Sequence, residues 1–339
     1  MHSKMRLAGL FFLLLGCTIA VQPSLSPDQN PLQRNLSLLP TSADSKGQEA
    51  DSGELRFLLL SSYNSDNTGT GKVWVVPSAQ PSNAFVLITG LDAPTGICYD
   101  RRSRFLYVVD AGLRSNSQGR ILQFAIDTDL KDRFILAEDE VATIYEGPRP
   151  FDCWVDAYGN LYFVDSQSQS ITIVSFLDLW SGFANKQVTL YRRTSANPQI
   201  SVPVSLQVVS SSTIYYANNA YSGSAGLLNS VPTRTRYLNQ AETTAEVTDF
   251  GQAWGLAVNG DELYYTTAEG EVWRYSRGRL GLKAQGFGRP RGVCVSGKRV
   301  YVADNEYGEV LTLSTGREEE VPDGFLRIPG VYEVYCLNN

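Results

Sequence analysis

From Leu55 onward the chain repeats one short β-rich unit, and no other feature restricts its fold as tightly. Pro94-Thr-Gly-Ile-Cys-Tyr-Asp100 leads to Phe105-Leu-Tyr-Val-Val-Asp110 and then Gly119-Arg-Ile-Leu-Gln-Phe124. Pro150-Phe-Asp-Cys-Trp-Val-Asp156 leads in the same way to Asn160-Leu-Tyr-Phe-Val-Asp165, and further copies open at Pro203, Ala253 and Pro290. Their central tyrosines are Tyr107, Tyr162, Tyr215, Tyr264 and Tyr301. Each unit is three runs of β-branched and aromatic residues separated by turn signals, with room for a fourth run such as Phe134-Ile-Leu136. Four strands at this period predict propeller blades rather than a sandwich.

The two ends of the repeat region complement each other. Phe57-Leu-Leu-Leu60, Val73-Trp-Val-Val76 and Phe85-Val-Leu-Ile88 make three strands without an inner one. Gly330 to Leu337 is a strand without a following unit. An open ring would leave two unpaired edges, so the two ends are expected to combine. The expectation is an all-β, six-bladed β-propeller of four-stranded blades over residues 55–339, closed by pairing of its N- and C-terminal strands.

Residues 1–20 read as a signal peptide: Lys4 and Arg6 precede the apolar Leu7–Gly16, and Thr18-Ile19-Ala20 supplies a small-residue cleavage site. Cys17 after Leu15-Gly16 offers the alternative of a bacterial lipid anchor. Residues 21–54, rich in Ser, Pro, Asp and Gln, read as a disordered linker with one glycosylation sequon, Asn35-Leu36-Ser37. The localisation implied is secreted, extracellular or secretory-pathway lumen. No later apolar run is long enough to span a bilayer, so no integral membrane segment is expected in the mature chain.

The chain has one histidine, His2, and loses it with the leader. That removes Ser-His-Asp and Cys-His catalysis and histidine-ligated metals from the mature protein. The net charge of −6 becomes more negative once Lys4 and Arg6 are gone, which argues against nucleic acid as a partner.

The units Pro-x-Gly-Ile-x-x-Asp followed by Leu-Tyr-Val-x-Asp resemble NHL repeats and the blades of the SMP-30/gluconolactonase and strictosidine-synthase-like propellers. The resemblance covers essentially all of residues 55–339 and implies the fold more than the chemistry. In the SMP-30-like lactonases a divalent cation, usually calcium, sits in the channel on side chains placed just after the inner-strand prolines. Those positions here are Thr95, Phe151, Val204, Trp254 and Arg291, and only Thr95 offers an oxygen. A hard cation needs six or more oxygens, so that site does not carry over, and no cofactor or metal is expected. Asp152, one place later, is a lone carboxylate.

Inner-strand starts and second-strand ends share one face of a propeller. Thr95, Phe151, Asp152, Trp254 and Arg291 are therefore the candidates for binding a ligand or partner at the mouth. Phe, Trp and Arg are the types that dominate hot spots, although the two aromatic residues could equally plug the channel as core. Asp110, Asp165, Asn218, Thr267 and Asp304 recur at second-strand ends and are expected to form a structural ring that accepts turn N–H groups.

Cys98, Cys153, Cys294 and Cys336 allow two disulfides in three pairings. Opposite strand parity favours Cys98 with Cys153, and Cys294 with Cys336 would join the last full unit to the closing strand. The spacing of packed sheets favours buried free thiols instead, and both outcomes stay open.

The leading functional expectation is a monomeric, secreted binding module that takes a protein, peptide or small-molecule ligand at the propeller face. The alternative is a calcium-dependent lactonase or related hydrolase, with its catalytic residues unassigned.

Overall fold

The computed structural model describes residues 54–64, 69–112, 118–128, 133–181, 187–194, 200–209, 213–219, 228–232, 244–247, 252–316 and 319–338. The expected signal peptide (residues 1–20), Cys17, almost all of the expected linker and its sequon lie outside them.

The strands form six four-stranded antiparallel sheets. Five are built from strands consecutive in the chain. These are β4 (Pro94–Asp100), β5 (Phe105–Asp110), β6 (Gly119–Thr128) and β7 (Phe134–Gly147), then β8 (Pro150–Val155), β9 (Leu161–Asp165), β10 (Ser170–Val174) and β11 (Val188–Arg192). Next come β12 (Pro203–Val209), β13 (Thr213–Asn218), β14 (Leu228–Pro232) and β15 (Thr244–Val247), followed by β16 (Ala253–Asn259), β17 (Glu262–Thr267), β18 (Glu271–Ser276) and β19 (Arg279–Gln285). A fifth consecutive set is β20 (Pro290–Ser296), β21 (Arg299–Asp304), β22 (Glu309–Ser314) and β23 (Asp323–Arg327). The remaining sheet joins both ends of the chain, with β24 (Val331–Asn338) paired to β1 (Leu55–Ser62), then β2 (Gly71–Pro77) and β3 (Phe85–Leu91).

The inner strands meet in the order β24, β4, β8, β12, β16, β20 and back to β24. The apolar core lies in the gaps between neighbouring sheets. Leu59, Val73 and Val75 pack on Tyr99, Leu106 and Val108, while Leu58, Leu60 and Val76 pack on Tyr301, Ala303 and Val310. Strand alternation thus buries both faces of each sheet, which is why the inner runs read as nearly continuous hydrophobic stretches. The fold is a β-propeller.

Both candidate cysteine pairs are disulfides, Cys98–Cys153 and Cys294–Cys336, with Cα atoms 5.8 and 5.7 Å apart. They cross-link adjacent inner strands, where the sheets converge below the spacing of facing sheets elsewhere. A short helix, α1 (Phe176–Trp180), interrupts the repeat between β10 and β11 and is capped by the Ser175 hydroxyl. Gly330 enters β24 with φ at +71°, and a Cβ there would overlap the carbonyl oxygen of Tyr63.

Candidate functional site

Every inner strand begins with a bulge. Pro94 faces Asp110 and Gly96 faces Val109, so Thr95 is the extra residue. The same shift follows Pro150 and Pro203, and Val331 takes the proline's place in β24, where Ser62 faces Val331 and Ser61 faces Glu333. A bulge turns a side chain that would lie against a neighbouring sheet toward the axis. Pairing slips likewise after Ala253 and Pro290, over the stretches holding Trp254 and Arg291. Proline suits the first position, where its missing N–H leaves the ladder intact.

The second-strand ends hold the approach to each bulge. Asp110 accepts the N–H groups of Asp92 and Ala93, Asp165 that of Arg149, and Asp304 those of Gly288 and Arg289. Asn218 accepts from Ser201 N–H. Thr267 differs: its buried hydroxyl has no partner among the described residues, while neighbouring Thr266 donates to the Arg291 carbonyl and accepts from Gly255 N–H.

At the mouth the structure brings together Phe151, Trp254, Arg291 and a residue that sequence reasoning missed, Tyr332. The Arg291 guanidinium carbon lies 3.4 Å from the centroid of the Trp254 ring and 5.6 Å from that of Tyr332. Phe151 sits 6.0 Å from Trp254 and 6.1 Å from Tyr332, and Tyr63 lies 5.2 Å from Tyr332. Phe151 and Tyr332 are buried within one apolar cluster, whereas Trp254 and Arg291 remain partly exposed. The four rings thus form one contiguous cluster, and a cation lies over one of them.

Thr95 is turned inward: it is buried and its hydroxyl donates to the Phe151 carbonyl. Asp152 is buried too, accepting from the Ser205 hydroxyl and the N–H groups of Leu206 and Cys153. Glu333, also missed in the sequence, accepts from Val334 N–H. Burial pushes the Asp152 carboxyl up to about 7 against the pull of its three donors. Burial, and next the charge of Asp152, hold Glu333 well above the ordinary range.

These residues do not fit a hard cation. The side-chain oxygens of Thr95 and Asp152 are engaged with protein partners, and among the described residues no group of three His, Cys, Asp or Glu side chains converges.

No family model matches the chain, and no curated protein matches it. Solved structures share its fold. The crystal structure of a nidogen/laminin complex aligns with a TM-score of 0.61 at 16% identity, covering 82% of this chain and 97% of that one. A periplasmic gluconolactonase of Pseudomonas aeruginosa aligns with a TM-score of 0.52 at 12% identity, covering 84% and 99%.

Proposed function

We propose that this chain is a secreted, six-bladed propeller that acts as a binding module, receiving an anionic group of a protein or peptide partner at the mouth through Arg291. The observation that carries this reading is the Arg291 guanidinium placed over the Trp254 ring, its carbon 3.4 Å from the centroid. A guanidinium can take a carboxylate or phosphate through paired N–H donors. The aromatic cover beneath excludes water and supplies contact area of the hot-spot type. The cyclic contact order of the inner strands supports six sheets as six blades. The paired disulfides fit an oxidising compartment, and a structural neighbour from a protein–protein complex points the same way.

One observation favours a hydrolase as the second reading. Without histidine, a carboxyl titrating near neutrality is the available acid–base group, and Asp152 has that property. Its burial beneath Phe151 and its three donors argue against substrate contact. The discriminating experiment probes immobilised protein with a peptide array of graded acidity, beside a gluconolactone hydrolysis assay. Retention of acidic peptides that is lost in Arg291→Glu supports the binding module. Lactone turnover abolished by Asp152→Asn, with no peptide retention, supports the hydrolase.

A further inference from the structure

We propose that the end of the propeller opposite the mouth docks on an anionic lipid surface, through the basic turn Arg101–Arg104 and the exposed side chains of Tyr158 and Leu177. This goes beyond the binding reading and does not depend on it.

The inner strands lie start beside start and end beside end. A Cβ on Gly96 would touch Asp152, and one on Gly255 would touch the Arg291 carbonyl, so the strand starts share the mouth. The strand ends meet at the far side. β4 ends in Asp100, β8 ends just before the turn Asp156–Asn160, and a Cβ on Gly159 in that turn would lie 3.4 Å from the Asp100 Oδ2. The same Cβ would lie 2.7 Å from the Phe176 ring, and the Asn160 side-chain carbonyl accepts the Phe176 N–H. The basic turn, the Tyr158 turn and α1 therefore form one continuous surface.

Its apolar part stands out from the fold. In α1 Leu179 goes into the core while Leu177 is 73% exposed, and Tyr158 beside it is 52% exposed. The half-buried Phe176 and Trp180 rings support this tip, 5.9 Å apart. A leucine held out between a tyrosine and a tryptophan suits the bilayer interface, where apolar ring bodies and polar tips both find a partner.

Its charged part is cationic. Arg101, Arg102 and Arg104 are all exposed, and Asp100 is buried, holding the turn by accepting the Arg102 N–H and the Ser103 hydroxyl. Nearby carboxylates are engaged locally: Asp156 accepts the N–H groups of Tyr158 and Asn160, and Asp178 accepts the Ser175 hydroxyl. Arg104 holds φ at +59°, where glycine or asparagine costs less, so an arginine stands there against the local preference. The chain as a whole is net acidic, but attraction to a charged surface acts within a Debye length and is set by the cations that reach it.

The chain path supports the same orientation. Arg101 donates to the carbonyl of Asn338, and Asn338 pairs with Leu55, the first residue of β1. The segment before Leu55 thus joins the fold beside the basic turn. A lipid attached upstream, as at Cys17, would hold this end toward the bilayer and leave Arg291 facing away from it.

The test is flotation of the chain without its expected leader on vesicles of phosphatidylcholine, alone and in equal parts with phosphatidylglycerol. Retention on the mixed vesicles alone is expected, and added salt is expected to weaken it. Each basic side chain at an anionic surface is worth a factor of about five, so Arg102→Ala/Arg104→Gly is expected to weaken binding about 25-fold. Leu177→Ser is expected to weaken it about tenfold. Arg104→Gly relieves the left-handed backbone, so an unfolding midpoint at or above that of the wild type separates lost binding from lost folding. Arg289→Ala, exposed at the mouth end, is expected to float as the wild type does. Equal retention on phosphatidylcholine alone, no retention on the mixed vesicles, or unchanged binding in the arginine and leucine variants overturns the proposal. So does loss of binding in Arg289→Ala, which would place the contact at the mouth.

Discussion

Cys336 on the strand that closes the sheet of β1 is bonded to Cys294 on the neighbouring inner strand, 42 residues earlier in the sequence. The last strand is thus held twice, by its ladder to β1 and by a covalent link to β20. Chain entropy sets the scale: closing a loop of this length in the unfolded state is worth about 4 kcal/mol. Cys294→Ala/Cys336→Ala is expected to lose about 3–4 kcal/mol in urea unfolding and to unfold faster, since release of β24 opens the ring. A midpoint unchanged from the wild type would show that the ladder alone holds the closure.

Gly292 and Gly281 make a matched pair. A Cβ at Gly292 would meet Glu333 at 2.5 Å and the Val334 backbone nitrogen at 2.7 Å, whereas at Gly281 it would meet nothing within 4 Å. Gly292→Ala is expected to cost about 1–3 kcal/mol through overpacking at the hub. Gly281→Ala is expected to be neutral or to stabilise by up to about 1 kcal/mol through the unfolded state. Thermal unfolding of the two single variants measures both.

The inner-strand starts were legible because proline and glycine mark the same offsets in successive units, as in Pro94-Thr-Gly96 and Pro290-Arg-Gly292. That offset led to Phe151, Asp152 and Arg291, and to Trp254 through Ala253 standing in for proline. It did not lead to Tyr332 and Glu333. Val331 fills the proline slot of the closing strand, and its pairing partner lies at the other end of the chain. Only the pairing of Ser62 with Val331 reveals the correspondence, and that contact spans almost the whole domain. The α1 turn was missed for a different reason: Ser175-Phe-Leu-Asp178 is a capping signal, but its apolar neighbours blend into the run of β10.

Arg291 and Trp254 are expected to be coupled in stability by about 1–2 kcal/mol, the range for a partly desolvated cation–π contact. A double-mutant cycle with Arg291→Ala and Trp254→Ala measures this by urea unfolding. Arg291→Lys is the sharper variant for function. It keeps the charge and loses the planar stack and the two-pronged N–H edge. Peptide retention is expected to fall with little change in the unfolding midpoint, and full retention in Arg291→Lys would show that charge alone suffices.

On the outer side of the sheets, Lys283 is buried and its Nζ lies 3.2 Å from Glu320, which also accepts the Ser314 hydroxyl and N–H. Burial would raise the Glu320 carboxyl, but the Ser314 bonds and then Lys283 outweigh it and hold it below the ordinary glutamate range. A depressed carboxyl contributes stability that is full above its unfolded value of about 4.3 and drains away as pH falls through the folded value. The acid limb of the stability profile should therefore flatten in Glu320→Gln. At neutral pH the same variant leaves Lys283 without its carboxylate and is expected to cost about 2 kcal/mol. Lys283→Met removes the buried charge together with its need for a partner, and is expected to recover most of that loss in the Glu320→Gln background. Urea unfolding of the two variants and their combination at acidic and neutral pH separates the charge contribution from packing, and additive costs would show that the two side chains do not act as a pair.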